Sequence, residues 1–335
     1  MRILHGTMEI ANQMHIIVEG LKKVGEDAKA INYYPNYLGY KSDMVMNIKS
    51  FSSILEANEA TKLLASRIIA DVDVFHYHFG TSLTLDGSDL PLLKELNKKV
   101  VMHHWGSDVR IYSQAVKLSP FVNVKCLKED AIKRRLEQLA KYIDTCIVSD
   151  YELYEYVKDY YSNLVIIPQA IDLNEFNQIE EPSKNKKITI VHAPTSPEIK
   201  GTIHILQAIE MLQSKYDFDF KLIQGISYEE AKKTYVNADI IIDQILIGSY
   251  GLCSIENMSF GKPVVCYISD FMQEKYPREL PIISANPTNI KEKIEFLLNN
   301  RDCLSDIGMK SRKYAKKHHD INKLSRRFIE LYQVD

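Results

Sequence analysis

Residues 248–265 read Gly248-Ser-Tyr-Gly-Leu-Cys-Ser-Ile-Glu256-Asn-Met-Ser-Phe-Gly-Lys-Pro-Val-Val265. This pattern predicts a glycine-bearing loop, a short helix, a Gly-Lys-Pro break and a buried strand. The loop places the backbone N–H groups of Tyr250, Gly251 and Leu252 at a helix N-terminus, where an anion binds well. Glu256 falls in the middle of that helix. A carboxylate there can accept hydrogen bonds from hydroxyls, as an acidic residue does with a nucleotide ribose.

Length and composition indicate a globular protein with two domains of ordinary size. The chain has 335 residues, of which 45% are hydrophobic and 26% are charged. The formal net charge of −2 argues against nucleic-acid binding, which needs a basic footprint. The sequence has no apolar run near the ~20 residues of a membrane span, and residues 1–5 predict a strand rather than a signal peptide. The five cysteines are scattered without a CxxC pair, which favours a reducing cytoplasm over a disulfide or metal framework.

The order of predicted elements indicates two parallel sheets. Six short apolar runs between residues 3 and 167 alternate with amphipathic helical stretches, and the pattern restarts at residue 188 with five further runs. Such alternation predicts parallel sheets covered on both faces. We expect an N-terminal domain of residues 1–169 and a C-terminal domain of residues 170–315, with a polar linker at 180–187. Three helical stretches end the chain, and residues 316–335 are expected to complete the N-terminal domain.

Several polar residues follow predicted strands of the C-terminal half. Lys200 lies in the segment 191–202, after a strand and at the start of a helix, where its ammonium can neutralise a diphosphate. His192 and Thr195 belong to the same segment. Asp243 and Gln244 lie at the carboxyl end of the predicted strand 240–243, at the sheet edge where ligands of open parallel sheets bind. In an alternative interpretation, Lys200 is only an exposed residue in the first turn of a helix. In the same way, Glu256 can be an ordinary glutamate on a helix surface.

Polar residues also follow strands of the N-terminal half. His78 ends one predicted strand, and the segment His103-His104-Trp105-Gly106-Ser107-Asp108-Val109-Arg110 follows the next. The alternative for each histidine is a buried core residue bonded to backbone, and the sequence leaves open whether His103 or His104 reaches a ligand. Asn12 and Gln13 begin the first helix, where Asn12 is also suited to capping.

The segments at 191–202 and 239–265 resemble the sugar-donor-binding region of retaining glycosyltransferases of the GT-B fold, family 4 type. These enzymes carry Glu, seven residues and a second Glu, followed by a small-residue helix and Gly-x-Pro-Val. The second Glu corresponds to Glu256, whereas Gly248 stands at the position of the first. Gly106-Ser107-Asp108 resembles a loop that contacts the transferred sugar in this family.

The resemblance implies a fold, a reaction and a set of partners. The fold is α/β, with two Rossmann-like doubly wound sheets facing across a cleft and a C-terminal helix crossing back to the N-terminal domain. The reaction is metal-independent transfer from a nucleotide-diphosphate sugar, with a uracil nucleotide favoured because it is the commonest in the family. The nucleotide sugar is a co-substrate, so no cofactor is expected. The acceptor, a glycan, lipid or protein, stays open.

The residue patterns and the resemblance together predict three groups of site residues. The catalytic group is Lys200, His104 and Glu256. The group contacting the nucleotide sugar is Lys200, Thr195, His192, Asp243, Gln244, Tyr250, Gly251, Leu252 and Glu256. The group contacting the acceptor or the sugar is His78, Asp108, Arg110, Asn12 and Gln13.

The glycine at position 248 also supports hypotheses other than an active transferase. A GT-B chain without the first Glu can be a non-catalytic partner subunit of an active transferase, unless Asp243 or Gln244 replaces the lost contact. A sugar-nucleotide epimerase on the same fold is a third hypothesis. The basic stretch 133–135 predicts either a solvated helix face or a peripheral contact with an anionic membrane.

Overall fold

The computed structural model of the chain describes residues 1–176 and 187–334. Over these residues the chain forms twelve β-strands and fourteen α-helices. The strands are β1 Arg2–Thr7, β2 Asp27–Asn32, β3 Met44–Val45, β4 Val74–His78, β5 Lys99–His103, β6 Thr145–Val148, β7 Asn163–Ile166, β8 Ile188–His192, β9 Phe218–Leu222, β10 Ile240–Ile242, β11 Val264–Cys266 and β12 Ile283–Ser284.

The helices account for about half of the remaining described residues. They are α1 Gln13–Lys23, α2 Ile54–Ile68, α3 Asp89–Glu95, α4 Tyr112–Leu118, α5 Glu129–Ala140, α6 Tyr151–Val157, α7 Pro197–Lys200, α8 Thr202–Gln213, α9 Tyr228–Val236, α10 Leu252–Ser259, α11 Asp270–Gln273, α12 Ile290–Asn299, α13 Cys303–His318 and α14 Ile321–Gln333.

The chain divides into two compact units. Unit 1 comprises Met1–Ile111, Lys128–Asp172 and Ile321–Asp335, and unit 2 comprises Tyr112–Leu127 and Leu173–Asp320. The predicted boundary near residue 170 placed residues 112–127 in the N-terminal domain, whereas the structure places them in unit 2. Residues 177–186, most of the predicted linker, lie outside the described residues.

Unit 1 is built on a seven-stranded parallel sheet in the order β3-β2-β1-β4-β5-β6-β7. Helix α5 shows why a helix covers this sheet, because its apolar residues Ile132, Leu136 and Leu139 share one face at helical spacing and are buried. Helix α14 packs against α1 within the same unit, and Gly20 of α1 allows the close approach because a Cβ there would lie 2.3 Å from Ile321. The last helix is therefore part of the core of unit 1.

Unit 2 is built on a five-stranded parallel sheet in the order β12-β11-β10-β8-β9. The residues of β8, β10 and β11 are all buried, as expected for parallel strands covered on both faces. Helix α9 begins at a capping box, in which Ser227 and Glu230 bond each other's backbone N–H groups. None of the helices described is both long enough and apolar enough to cross a membrane.

Candidate functional site

The topology of unit 2 indicates where a ligand would bind. Strand β9 follows β8 in the chain and pairs with one side of it, whereas the next strand, β10, pairs with the other side. The strand order therefore reverses between β8 and β10. In open α/β sheets, ligands bind beyond the carboxyl ends of the strands at such a reversal. The segments that leave β8 and β10 contain Lys200 and Asp243, respectively.

Lys200 and Asp243 form a buried ion pair at this reversal. The Lys200 ammonium donates to Asp243 Oδ1, and the two side chains are 14% and 0% exposed. Burial disfavours both charges, but mutual attraction outweighs it, so the pKa of Lys200 is raised and that of Asp243 is lowered. The second Asp243 oxygen accepts a hydrogen bond from Ser254 Oγ at 2.7 Å. Lys200 is thus charged, but its charge is neutralised by the protein.

The backbone holds this pair in place. Ile245 N donates to the Lys200 carbonyl at 3.0 Å, which ties the end of α7 to the segment after β10. Gly201, at the junction of α7 and α8, has a left-handed backbone with φ 78°. A Cβ at Gly201 would lie 2.7 Å from Ile245 and 2.9 Å from Leu246. Glycine is therefore required for the two segments to meet.

Helix α10 begins directly beside the Asp243 carboxylate. Gly251 is its N-cap residue, Leu252 is its first residue and Ser254, the partner of Asp243, is its third. The first turn of a helix has N–H groups without partners inside the helix, which favours anions at this end. Leu252 is buried, whereas a Cβ at Gly251 would meet only Gln244 Nε2, at 3.9 Å. The backbone at Gly251 therefore has open space beside it.

Gln244 and Tyr250 fix the loop that precedes α10. Gln244 Nε2 donates to the Ser249 carbonyl at 2.6 Å, inside the loop. The Tyr250 hydroxyl bonds the hydroxyl of Tyr314 at 3.1 Å and His319 Nε2 at 3.2 Å. Both predicted contact residues thus stabilise the loop conformation.

Glu256 lies within α10 and is buried. Its Oε1 accepts a hydrogen bond from the Tyr228 hydroxyl at 2.6 Å. Burial raises the pKa of Glu256 to about 7, although the Tyr228 bond and the Lys232 charge favour the ionised form. A buried carboxyl group that titrates near neutral pH is a feature of functional sites. The alternative of a surface glutamate is excluded by its 4% exposure.

Gly248 cannot be exchanged for the Glu that the resemblance places there without a change of backbone. Its φ is 92°, a left-handed conformation that favours glycine. A Cβ would lie 2.8 Å from the Cβ of Ser269 and 3.1 Å from the Cβ of Ser119. The Gly248 carbonyl is also held in place, because it accepts a hydrogen bond from Ser269 N at 2.9 Å. The conformation of the loop therefore excludes a glutamate at position 248.

His192 and Thr195 have different environments. His192 is fully buried; its Nδ1 bonds the Ile242 carbonyl at 2.8 Å and its Nε2 bonds the Thr202 hydroxyl at 2.9 Å. Burial lowers the pKa of His192 to about 4, so the ring is neutral at pH 7. Both ring nitrogens are therefore used to join β8 to its neighbours. Thr195 is exposed in the loop before α7.

In unit 1, His104, Asp108 and Arg110 organise their own loop. His104 is buried and bonds Asp108 Oδ2 at 2.7 Å through Nδ1 and the Tyr161 hydroxyl at 2.8 Å through Nε2. The other Asp108 oxygen accepts from the backbone N–H groups of Trp105 and Gly106. Arg110 forms two hydrogen bonds with Glu152, at 2.8 and 2.7 Å, in a largely buried pair. These predicted ligand contacts are all occupied by intramolecular partners.

His78 belongs to a buried cluster of four histidines in unit 1. Trp105 Nε1 donates to His78 Nδ1 at 3.1 Å, and an indole N–H can only donate, so the His78 proton must lie on Nε2. From there the direction of each hydrogen bond follows. The chain runs from Trp105 to His78, His5, Tyr332, His76 and His103, with successive distances of 3.1, 3.0, 3.3, 2.6 and 3.2 Å.

The last member of this chain has an unsatisfied hydrogen bond. Among the described residues, no partner is present for the buried Nε2 of His103. Burial lowers the pKa of His5 to about 3 and those of His76, His78 and His103 well below the ordinary value. All four rings are therefore neutral, and neither His103 nor His104 is exposed to a ligand.

The same cluster also brings potential metal ligands close together. Ring nitrogens of His5, His76 and His78 lie within 4.8 Å of one another. A neutral histidine ligand keeps the proton on its other nitrogen. The Trp105 N–H already occupies His78 Nδ1, so coordination through Nε2 would leave this ring without a proton. The donor set fits a hydrogen-bond chain better than a metal ion.

Three predicted features of unit 1 remain: Gln13, Asn12 and the basic stretch 133–135. Gln13 is buried and exchanges two hydrogen bonds with the backbone of Ala170, at 2.9 and 2.8 Å. Asn12 is the N-cap residue of α1 but makes no side-chain capping bond. Arg135, in the basic stretch proposed for membrane contact, donates to the Gly80 carbonyl at 2.9 Å. Lys133 faces Glu129 at 3.9 Å.

Two residues of the site were not predicted from the sequence. Ser254 holds Asp243, and Tyr228 holds Glu256 from a helix 28 residues earlier. Ser254 lies in the quoted stretch, and its position in the first turn of a helix beside a strand end was a usable signal. No local pattern pointed to Tyr228, because its contact depends on how α9 packs.

Comparisons with known proteins support the fold. No family model matches the chain, and no curated protein matches it either. A sucrose-phosphate synthase from Thermosynechococcus elongatus superposes with a TM-score of 0.70 at 14% identity, over 99% of this chain and 98% of that one. A glycosyltransferase from Rickettsia africae superposes with a TM-score of 0.67 at 13% identity, over 99% of this chain and 97% of that one. HepE of Anabaena, in complex with UDP and glucose, gives 0.65 at 11% identity, over 100% of both chains.

The chain has the GT-B fold. Its two Rossmann-like parallel sheets confirm the predicted fold class. Identities this low show the fold alone, so the activity has to be argued from the residues of the site.

Proposed function

We propose that the chain is a glycosyltransferase whose unit 2 binds a nucleotide-diphosphate sugar. One observation carries the proposal: an ammonium, a helix N-terminus and a buried carboxyl group lie at the strand-order reversal of one parallel sheet. Lys200 and the first turn of α10 suit a diphosphate, because both favour negative charge. Glu256, further along the same helix, suits the hydroxyls of a ribose. UDP is the favoured nucleotide, since HepE shares the fold and was solved with UDP and glucose.

In the proposed reaction the bond between the sugar carbon and the diphosphate oxygen breaks as a bond to an acceptor hydroxyl forms. The departing diphosphate takes the hydroxyl proton. Lys200 and the α10 amides stabilise the charge that develops on the leaving group. Because these groups already supply the favourable electrostatics, we propose a metal-independent reaction with retention at the sugar carbon.

The first experiment is a thermal-shift panel of UDP, GDP, ADP and their sugar conjugates, with and without EDTA. A ligand that binds only the folded protein raises the melting temperature. We expect a shift for UDP that EDTA does not change, and loss of most of this shift in Lys200→Ala and Glu256→Ala. Lys233→Ala and Glu229→Ala are matched controls, since both side chains are exposed on α9. No shift from any nucleotide with folded protein would refute the proposed binding site.

A non-catalytic subunit is the second candidate function, and Gly248 specifically favours it. The backbone there excludes the Glu that grips the sugar in the resembling family. His78 and His104 also have both ring nitrogens bonded within unit 1. The two candidates differ in turnover: a transferase releases UDP from a UDP-sugar, with hydrolysis as the minimal reaction. A nucleotide-induced thermal shift without UDP release from any of the sugar conjugates, across a panel of acceptors, would favour the non-catalytic subunit.

A further inference from the structure

The candidate site has few basic side chains, and its lysine is paired with a carboxylate. Lys200 is the one Lys or Arg in the segment 188–202, and the segment 240–259 contains no Lys, Arg or His. His192, the other basic side chain of the first segment, is neutral and has both nitrogens bonded. The Lys200 charge is matched by Asp243. Before any ligand binds, the Lys200–Asp243 pair therefore carries no net charge.

The Asp243 carboxylate also occupies positions that a bound anion would use. One oxygen accepts from the Lys200 ammonium, and the other accepts from the hydroxyl of Ser254, in the first turn of α10. A ligand phosphate would be attracted by the same ammonium and the same helix N-terminus. Asp243 is anchored, because its backbone N–H donates to the Val265 carbonyl of β11 at 2.8 Å. The carboxylate therefore stays near an incoming phosphate and repels it.

From this geometry we infer that Asp243 competes with the ligand's phosphates for Lys200 and so sets the charge of the ligand that the site accepts. The inference rests on the proposed function, since it concerns the same site. Asp243 lowers the affinity for a free nucleoside diphosphate, whose negative charge is high. It favours ligands in which part of that charge is masked, as in a diphosphate esterified by a sugar.

Asp243→Asn tests the inference because the amide keeps the shape and removes the charge. We expect this variant to bind UDP and inorganic pyrophosphate at least about tenfold more tightly than the wild type, since one unit charge within a few ångströms of a phosphate is removed. Titration calorimetry measures both ligands. The gain should disappear in Asp243→Asn combined with Lys200→Ala, because the competition is for the Lys200 ammonium.

Asp239→Asn is the matched control. Asp239 precedes β10 as Asp243 follows it, and its carboxylate accepts the backbone N–H of Thr189 at 2.7 Å, away from Lys200. We expect unchanged affinities in this variant. Asp243→Leu provides a second test if Asp243→Asn does not fold, since leucine removes the charge at similar size. Far-ultraviolet circular dichroism verifies the fold of each variant.

The outcomes separate the inference from the proposed function. If the wild type binds UDP and the charge-removing variants bind it equally or more weakly, Asp243 positions Lys200 instead of competing, and the inference is overturned while the proposed function stands. If only the variants bind UDP, the inference holds, and a wild type that also fails to bind a UDP-sugar overturns the proposed function alone. If neither binds UDP or pyrophosphate, both are overturned.

Discussion

Replacement of Gly248 tests whether the loop before α10 excludes any side chain. In Gly248→Ala, the new Cβ enters a left-handed backbone with φ 92° and would lie 2.8 Å from the Cβ of Ser269. The backbone conformation costs about 1–2 kcal/mol for a non-glycine residue. Overpacking adds about 1–3 kcal/mol. We therefore expect the free energy of unfolding to fall by about 2–5 kcal/mol, and by at least as much in Gly248→Glu.

Hydrogen exchange of peptides covering β10 and β11 measures this loss within unit 2, because exchange resolves units that unfold separately. Gly251→Ala is the matched control in the same loop. Its φ is −119° and the nearest atom to a new Cβ is 3.9 Å away. We expect the control to lower stability by less than about 1 kcal/mol, because alanine is only a poorer N-cap residue than glycine at this position.

A second substitution separates the two causes. Gly248→Ala combined with Ser269→Gly removes the closest contact but leaves the left-handed backbone, so part of the loss should be recovered. Ser269 is the N-cap of α11, where glycine costs only a few tenths of a kcal/mol. A Gly248→Ala variant as stable as Gly251→Ala would refute the reasoning, and Gly248 would then be an accidental departure from the resembling family.

Two further predictions concern buried titratable groups. Burial raises the pKa of Glu256 to about 7 from 4.5, so the folded state binds more protons than the unfolded state between these values and stability falls as pH rises through this window. The difference in free energy of unfolding between Glu256→Gln and the wild type should therefore grow in favour of the variant by on the order of 3 kcal/mol from pH 4.5 to pH 8. Urea unfolding at several pH values measures this difference. A difference that does not change with pH would contradict the prediction. Tyr332→Phe removes the hydroxyl between His76 and His5 and should cost about 2–5 kcal/mol. Fluorescence of Trp105, in the same hydrogen-bond chain, monitors unfolding. Tyr33→Phe is the control, because it removes only one hydrogen bond, to the Leu83 carbonyl. A loss of stability in Tyr332→Phe no larger than that in Tyr33→Phe would contradict the hydrogen-bond chain.

The sequence predicted the sheets well because their signals are local. Strand β8 begins at residue 188, where the pattern of apolar runs was predicted to restart, because such a run marks a buried strand directly. Strand β3 was missed because Met44 and Val45 are both exposed and show no pattern. Helix α4 was missed as well, and its segment belongs to unit 2 through distant contacts such as the bond from Ser119 to the Leu246 carbonyl.

For the candidate site, the sequence predicted the positions of the residues better than the availability of their polar atoms to a ligand. The positions of Lys200, Asp243 and Glu256 follow from the strand ends and a helix start, which the sequence indicates. Whether a polar side chain is available to a ligand depends on its partners, and these come from other elements. His78, His104 and His192 are typical of ligand-binding residues by position, yet each has both ring nitrogens bonded within its own unit.

The loss of the Glu at position 248 and the presence of a carboxylate at position 243 are separate features. By position in the sequence, Asp243 and Gln244 are the candidates to replace the lost sugar contact. Both Asp243 oxygens are already bonded, to Lys200 and Ser254, and Gln244 Nε2 is bonded to the Ser249 carbonyl. The groups suited to the diphosphate and the ribose are therefore in place without an evident replacement for the sugar contact. The thermal-shift panel should accordingly show that any advantage of a UDP-sugar over UDP comes from its lower charge beside Asp243, and Asp243→Asn should remove that advantage.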